Sequence, residues 1–467
     1  MNRELSKIYN DGSSEMIQNR EKFILDMMDH GLKMKEWQYC LQQLQAENSI
    51  PNEYKNSPVL LNKLAFIYMH AARAEEQHAK YIKLAHQTYT IALQKTKNEE
   101  NHNTIKGMAY LYYSEYIGYN SLLFSNKSSW PLSIDECERN ADILYEKIRL
   151  HKPDVLDLYR YAHLLYMASN NIHSVQSFSE IMEKRKKAYI LYLQAVEKYE
   201  HLPEKEKKRL QRIYIKSCYG VCRCGLGLIA KRSSLLNELI LLFDFQPKEQ
   251  GITPFEMKKF SEINHCLTRI LQEEGLPADT GDIIDIQTLA NREQIIARSW
   301  DVYYMIGKFY DYSLQYTRCS DPALLYKKAE KYYTLACEID CIRRQNQKMI
   351  SGFKHMYFGL FKLYLRSHQE DAFCKSWDKY YYITNFEDSY RFLFQARWLI
   401  LKKEYGEAKN VLEQCSEMIK EKNNNVSRKI NQLLDIVYIM IEKNSCNIEE
   451  KYKPYQRKYF NELLQMQ

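Results

Sequence analysis

The sequence predicts an all-α protein whose helices pack in antiparallel pairs. Glycine and proline are scarce, with 14 and 10 among 467 residues, although many tight turns and strand ends require them. Apolar residues recur at the three- and four-residue spacing that lines one face of a helix. Large side chains alternate with small ones in that spacing, and a small residue lets two helices approach closely. These observations favour helices joined by short polar loops.

The composition is that of a chain that folds throughout. Hydrophobic residues make up 45% of it and aromatic residues 13%, which is ample for a buried core. The mean hydropathy of -0.56 therefore indicates a charged surface rather than disorder. The 39 tyrosines combine a large apolar ring with a hydroxyl that requires a hydrogen-bond partner. They suit wide helix interfaces and hydrated grooves.

Charge and cysteine usage predict a soluble, cytoplasmic protein that binds neither membranes nor nucleic acid. Lysine and arginine total 67 against 59 acidic residues, a net charge of +8. This excess is small for nucleic-acid binding but tilts the chain toward acidic partners. No apolar run reaches the length of a signal peptide core or a membrane span. The 12 cysteines fit reduced core thiols rather than a disulfide framework.

The segment 300–341 carries the clearest repeat pattern. Its two helices have the spacings Tyr303-x2-Ile306-Gly307-x2-Tyr310 and Ala329-x3-Tyr333-x2-Ala336. This pairing resembles a tetratricopeptide repeat (TPR). The resemblance implies a right-handed α-solenoid, here of about seven irregular TPR-like helix pairs.

The same pattern recurs along the chain, each time as a first-helix segment and a second-helix segment. The pairs are 61–68 with 85–92, 105–112 with 141–148, 158–165 with 188–195, a degenerate 221–228 with 236–243, then 303–310 with 329–336, 357–364 with 373–380, and 392–399 with 405–415.

This distribution predicts two arrays with a hinge between them. The hinge concentrates two glycines, a proline and acidic residues. The predicted segments are N-terminal capping helices in 1–50, an N-terminal array in 51–273, the hinge in 274–287, a C-terminal array in 288–420 and C-terminal capping helices in 421–467.

Two local features refine the prediction. Thr253-Pro254-Phe255-Glu256 combines an N-cap, a proline at the first helical position and a glutamate that reaches back, so a helix starts there and runs to about Gln272. Phe361 stands where the repeat pattern calls for a small residue. We therefore expect looser packing in that unit.

The resemblance also predicts a binding surface, because the first helices of TPR proteins line a concave face. The residue after each motif anchor tends to point into it, which gives twelve positions here. Phe66, Phe358 and Leu393 occupy three of them. The other nine form the predicted partner-binding groove: Asn62, Lys106, Tyr110, Tyr159, His163, Tyr304, Lys308, Lys362 and Arg397.

This predicted groove is basic and aromatic. Four of the twelve positions carry lysine or arginine, and none carries an acidic residue. Ammonium and guanidinium groups between aromatic walls suit a carboxylate, a phosphate or an acidic peptide, which they would hold through charge-assisted hydrogen bonds. An ordinary solvated inner face, or one that holds a protein by shape, is the alternative reading.

Metal and nucleophile patterns are weak. Cys218, Cys222 and Cys224 lack the paired spacing and nearby histidine of a zinc site, so no metal is expected. His265 and Cys266 are adjacent on a predicted helix and point in different directions, which disfavours a catalytic pair.

Phosphate-loop and nucleic-acid patterns are equally weak. The glycines in 224–227 lack the lysine and the preceding strand of a phosphate-binding loop. The basic runs 184–187 and 205–212 adjoin or alternate with glutamates, as solvated helix ends do.

The sequence thus predicts a non-catalytic TPR scaffold or adaptor without cofactor or metal. Its concave groove would bind a protein or peptide partner, acidic or ending in a carboxylate. Two other functions fit the same pattern: an accessory or inhibitory subunit of a bacterial defence or toxin enzyme, and a peptide-sensing TPR regulator. For the regulator, no N-terminal DNA-binding helix-turn-helix is evident, which leaves the helical-bundle effector type. An enzyme would need a clustered acid, base or nucleophile.

Overall fold

A computed structural model shows that the described part of the chain consists mostly of helices joined by turns and short loops. No strand occurs among these residues, so the all-α prediction is confirmed for them. The described residues are 14–72, 77–96, 102–120, 132–170, 177–229, 254–277, 286–291, 298–316, 321–347, 354–386, 388–419 and 425–444.

The chain divides into two compact units, Met1–Gly220 and Val221–Gln467. Helix α9 crosses the division. The described helices up to this point are α1 Ser14–Met34, α2 Trp37–Gln43, a 3-10 turn Asn52–Asn56, α3 Pro58–Ala71, α4 His78–Lys95, α5 His102–Asn120, α6 Ile134–Leu150, α7 Val155–Ser169, α8 Phe178–Glu200 and α9 Glu204–Ile229.

The second unit continues with described helices of 6 to 26 residues. They are α10 Pro254–Glu273, α11 Ile286–Asn291, α12 Ser299–Tyr316, α13 Pro322–Gln347, α14 His355–Arg366, α15 Glu370–Thr384, α16 Asp388–Leu401, α17 Tyr405–Met418 and α18 Asn425–Asn444.

Neighbouring helices pack as pairs within each unit. In unit 1, α3 packs with α4, α5 with α6 and α7 with α8, while the first helices α3, α5 and α7 contact one another in turn. In unit 2, α12 packs with α13, α14 with α15 and α16 with α17, and α12 also contacts α14. The first helices of successive pairs therefore lie side by side.

Local signals set several helix boundaries. The Oγ of Ser57 accepts a hydrogen bond from the backbone N–H of Leu60 at 3.3 Å, and Pro58 follows it at the start of α3. Asp154 and Asp157 form a capping box at the start of α7. These caps supply acceptors to N–H groups that have no partner within the helix.

The helix predicted to start near Pro254 is confirmed as α10, Pro254–Glu273. Its end is a left-handed turn at Gly275, where φ is 58°. The N–H of Leu276 donates to the carbonyl of Leu271 at 2.8 Å. A glycine adopts this conformation at little cost, which explains why it terminates the helix.

A tyrosine from a second helix packs against a glycine of the following first helix at three points. An added Cβ at these glycines would lie 2.5 to 2.9 Å from the nearest ring atom, too close for any larger residue to fit unchanged. Each tyrosine comes four residues after the small alanine of its second-helix motif. The three pairs are Tyr89 with Gly107, Tyr192 with Gly220 and Tyr333 with Gly359.

The expectation of looser packing at Phe361 is wrong. Its side chain is 0% exposed, and its ring centroid lies 5.2 Å from those of Phe373 and Trp377 and 5.5 Å from that of Phe394. The close approach to the preceding helix is made by Gly359. The small residue and the large one have exchanged roles within one helical turn.

The predicted hinge does not coincide with the division into units. The division follows Gly220, inside α9, whereas the hinge was predicted at 274–287. Residues 278–285 of that segment lie outside the described residues, and so do 236–243 of the degenerate repeat and the cap helix expected beyond 455. The hinge stays a prediction.

Membrane-spanning character and cysteine pairing can both be examined in the described residues. None of the described helices combines the length and the apolar character needed to cross a membrane. The ten described cysteines form no disulfide with one another, and all except Cys374 are buried. Burial raises the pKa of two of these thiols, to about 11 for Cys40 and about 12 for Cys137, so both lie protonated in the core.

Candidate functional site

The nine predicted groove residues all lie on first helices. Unit 1 places them on α3, α5 and α7, and unit 2 places them on α12, α14 and α16. The two sets have different surroundings.

In unit 1, polar groove residues link successive first helices. The amide Nδ2 of Asn62 donates to Thr104 Oγ1 at 2.9 Å, which joins α3 to α5. The ammonium of Lys106 lies 3.0 Å from a carboxylate oxygen of Asp154 and 2.5 Å from one of Asp157, which joins α5 to α7. Burial lowers the pKa of Lys106, but these two carboxylates outweigh it and raise the pKa above its ordinary value.

The aromatic groove residues of unit 1 also contact other side chains of their own unit. His163 stacks on Tyr159, with ring centroids 5.8 Å apart, and its Nδ1 lies 2.8 Å from the hydroxyl of Tyr113. The guanidinium of Arg160 lies 3.8 Å from the ring centroid of Tyr110, within cation–π range. Tyr159 is itself buried. These side chains bind neighbouring helices of their own chain.

Sequence reasoning missed three cations of unit 1. Arg160 directly follows the predicted Tyr159, and Arg212 acts electrostatically on the Tyr159 hydroxyl from α9. Lys216 lies one turn beyond Arg212, and burial together with that guanidinium lowers the pKa of Lys216. The only signal for Arg160 in the sequence is its position one residue after a motif site.

In unit 2, two contacts fix how α12 and α14 lie against each other. The ring of Tyr304 packs on Gly359, where an added Cβ would be 3.2 Å from its Cε2. Further toward the C-terminal ends of the two helices, the carboxylate of Asp311 is paired with the guanidinium of Arg366. Both contacts join residues 55 positions apart, so the helices run parallel in this register. Lys308 of α12 is therefore level with the turn of α14 that contains Lys362.

Positive charges converge around His355, the first residue of α14. Burial lowers the pKa of its imidazole, and the charges of Lys308, Lys429, Lys362 and Arg223 lower it further. The residue is nevertheless exposed to solvent. We call Arg223, Lys308, His355, Lys362 and Lys429 the basic cluster; its members come from α9, α12, α14 and α18.

Two members of the basic cluster, Arg223 and Lys308, have contacts that define their surroundings. Arg223 is paired with Asp301, which offsets one charge. The ammonium of Lys308 lies 5.2 Å from the ring centroid of Tyr312 and makes no ion pair with any residue that the structure describes. The four charges that act most strongly on His355 are all positive.

Two predicted groove residues of unit 2 differ in accessibility. Tyr304 is half-buried, and burial raises its pKa to about 12. Arg397 is 1% exposed, and its guanidinium lies 4.9 Å from the ring centroid of Phe394. This burial disfavours contact of Arg397 with a partner. The structure thus brings Lys308 and Lys362 together and leaves Arg397 out of reach.

The cluster includes residues that the motif could not indicate. His355 stands two residues before the anchor Tyr357, outside any groove position, and Lys429 lies in the segment predicted as a cap. Arg223 belongs to the degenerate fourth repeat, one position from a groove site. Only Lys308 and Lys362 carried a sequence signal.

Other places in the described residues offer less chemistry. No group of three or more His, Cys, Asp or Glu in them is arranged to hold a metal ion. A shallow open depression in unit 1 has Lys55 and His86 as its titratable lining residues. The Nε2 of His86 lies 2.9 Å from the hydroxyl of Tyr112, and burial lowers the pKa of this histidine.

Comparison of the chain with models of known protein families finds no match, and comparison with curated proteins finds none either.

Proposed function

We propose that this chain is a non-catalytic helical-repeat scaffold that binds an acidic protein or peptide on the first-helix face of unit 2. The observation that carries the proposal is the basic cluster, in which four positive charges from α9, α12, α14 and α18 act on the exposed His355. An anionic group there would gain charge-assisted hydrogen bonds and would relieve the repulsion among the cations.

The proposal includes a TPR-like repeat and a right-handed solenoid of about seven helix pairs. Two features support it. The tyrosine and glycine packing recurs at equivalent motif positions in both units. First helices of successive pairs also contact each other within each unit, as they do where repeats stack on their neighbours.

The expected partner is a macromolecule because the face is long and aromatic. Tyr304 and Tyr312 flank Lys308 along α12, and all three are half-buried. Such side chains offer large contact areas at low entropic cost, and binding energy concentrates on aromatic and charged residues of this kind. A charge-assisted hydrogen bond contributes about 1.5 to 3 kcal/mol where it is desolvated.

Affinity capture with a charge-reversed variant tests the proposal. Extract of the source cells is passed over wild-type protein, over Lys308→Glu, and over Lys375→Glu. Lys375 is an exposed lysine of α15 and serves as the matched control. We expect an acidic partner that wild type and Lys375→Glu recover equally and that Lys308→Glu loses at least tenfold. Equal recovery by all three proteins, each with unchanged thermal unfolding, would contradict the proposal.

An accessory subunit of an effector enzyme and a peptide-sensing regulator would use the same face. The mass of the captured molecule separates them. A folded enzyme indicates the accessory subunit, and a short peptide indicates the regulator.

A further inference from the structure

We infer that unit 1 carries a docking surface for a proline-rich segment of a partner protein. The surface consists of four half-exposed aromatic side chains: Trp37 of α2, Phe66 and His70 of α3, and Tyr110 of α5. We call these four residues the aromatic row. The row belongs to unit 1, so this inference does not depend on the function proposed for the basic cluster of unit 2.

The members of the aromatic row contact one another in turn. The ring of His70 stacks on that of Trp37, with centroids 4.5 Å apart and ring planes at 16° to each other. His70 also meets the ring of Phe66 edge to face at 4.5 Å, and Phe66 lies 6.5 Å from Tyr110. The row therefore joins three helices. It can cover at most about five residues of a polyproline II helix, which rises about 3.1 Å per residue.

Other contacts hold the rings of the row in place. The guanidinium of Arg160, on α7, lies 3.8 Å from the ring centroid of Tyr110, within cation–π range. Tyr113 stacks on the same tyrosine, with ring centroids 6.2 Å apart. Aromatic side chains that are already held in this way lose little rotamer freedom when a partner binds, so more of the contact energy contributes to affinity.

Two uncharged hydrogen-bond donors of the row are accessible. The indole N–H of Trp37 and the hydroxyl of Tyr110 donate to no residue that the structure describes, and neither atom is buried. A polyproline II segment has no internal hydrogen bonds, and proline has no N–H, so such a segment offers carbonyl acceptors without competing donors. Aromatic walls that carry such donors are therefore complementary to a proline-rich segment.

The charges near the row favour an uncharged ligand. Each of the two lysines that precede a row residue by one turn is paired: Lys63 with Asp29 at 2.5 Å, and Lys106 with Asp157 at 2.5 Å. Arg160 makes no ion pair with a described residue. A single guanidinium is too little to follow a nucleic-acid backbone, because that mode of binding needs several phosphate contacts.

Fluorescence anisotropy with labelled probes tests the inference on the full-length protein. The probes are decaproline, a Gly-Ser peptide of the same length and a short oligothymidylate. We expect decaproline to bind at least about tenfold tighter than the Gly-Ser peptide. Its affinity should change less than about twofold between low and physiological salt, because no ion pair forms with the peptide.

Two variants separate the contribution of a ring from that of a donor. Trp37→Ala removes a ring of the row and should weaken decaproline binding at least about fivefold. Tyr110→Phe keeps the ring and removes only the hydroxyl, so the loss of one neutral hydrogen bond should weaken binding about two- to tenfold. Tyr39→Ala is the matched control, because Tyr39 also lies on α2, is 57% exposed and is outside the row. Its affinity should equal that of wild type.

A direct readout covers the case in which Trp37→Ala disturbs the fold. The indole ¹H–¹⁵N signal of Trp37, assigned by its loss in Trp37→Phe, should shift when decaproline is added to wild type, because the N–H gains a carbonyl acceptor. Equal affinity for decaproline and the Gly-Ser peptide, an unmoved Trp37 signal, or unchanged affinity in Tyr110→Phe would overturn the inference. Tighter binding of oligothymidylate than of decaproline would also overturn it and would indicate a base-stacking surface.

Discussion

The first-helix faces of the two units place their groove lysines in different electrostatic surroundings. In unit 1, Lys106 is neutralised by Asp154 and Asp157 of the next first helix. In unit 2, Lys308, which follows the small residue of its motif rather than the first anchor, is level with another lysine, Lys362, and both act on His355. A groove lysine is thus held by carboxylates of its own chain in unit 1, whereas Lys308 makes no ion pair with a described residue in unit 2.

The difference arises from where each unit keeps its carboxylates. In unit 1 they lie at the start of α7, within ion-pair distance of Lys106. In unit 2 two of them are buried between helices: Asp311 is bonded to Arg366 and Tyr333, and Asp340 to Arg344 and Tyr357. Carboxylates that are bonded inside the core cannot neutralise lysines on the face. Four predictions sharpen this comparison.

The largest effect is expected at Asp340. Asp340 is 0% exposed and Arg344 is 2% exposed, so Asp340→Ala leaves a buried guanidinium without its carboxylate. We expect a loss of about 3 to 5 kcal/mol in the free energy of unfolding of unit 2, measured by urea denaturation. Asp378→Ala removes a carboxylate that is 69% exposed and 3.8 Å from Arg391, and it should cost less than about 0.5 kcal/mol. Similar losses for both variants would show that the buried carboxylates are not what stabilises unit 2.

Disruption of the tyrosine–glycine packing should destabilise both units by similar amounts. Gly107→Ala in unit 1 and Gly359→Ala in unit 2 each force a methyl group into an aromatic ring, which we expect to destabilise by about 1 to 3 kcal/mol. Gly406→Ala is the control, because an added Cβ there has no neighbour within 4 Å and alanine favours the helix by up to about 1 kcal/mol. Thermal unfolding measures all three. A neutral effect of either core variant would remove that unit from the shared repeat pattern.

The two lysines should differ when their charge is removed. Lys106→Met leaves Asp157, whose side chain is 6% exposed, without its ammonium, and we expect a loss of about 1 to 2 kcal/mol. Lys308→Met relieves repulsion within the basic cluster and should stay within about 0.5 kcal/mol of wild type or be stabilising. Urea denaturation of both variants measures these changes in the free energy of unfolding. The comparison fails if Lys308→Met is the more destabilising change.

The smallest predicted effect is a pH dependence of the stability of unit 1. The Nδ1 of His78 lies 2.8 Å from the carbonyl of Ala72, and its Nε2 lies 3.0 Å from the Glu115 carboxylate. Burial lowers the pKa of His78, but these two acceptors outweigh it and raise the pKa above the ordinary value.

Stability from this raised pKa is fully present below about pH 6.5, the unfolded value, and is lost as pH rises through the folded pKa of His78. We expect the difference in unfolding free energy between wild type and His78→Gln to shrink by about 1 kcal/mol between pH 6 and pH 9. A difference that does not change with pH would mean that His78 is neutral in the folded protein.

Much of the fold could be predicted from the sequence because it depends on local spacing. The helix Pro254–Glu273 was predicted from residues that are adjacent in the chain, among them the proline at its first position. The placement of all nine groove residues on first helices follows from motif spacing alone. The role of Gly359 could not be predicted, because it depends on where the rings of Tyr304 and Tyr333 arrive from other helices.

The candidate site was less predictable because its electrostatics depend on distant residues. The Asp154 carboxylate that pairs with Lys106 lies 48 positions further along the chain, and no repeat motif specifies this separation. His355 and Lys429 lie at no groove position, yet both belong to the basic cluster. The charge of a groove residue can be read from the sequence, but whether a neighbouring helix neutralises that charge cannot.

The central claim is that unit 2, and not unit 1, presents an anion-binding face. Affinity capture of the acidic partner by wild type, Lys308→Gln and Lys106→Gln tests it most directly. The account predicts that Lys308→Gln lowers the recovery about tenfold and that Lys106→Gln leaves it within about twofold of wild type. An equal loss in both variants, or a larger loss in Lys106→Gln, would contradict it.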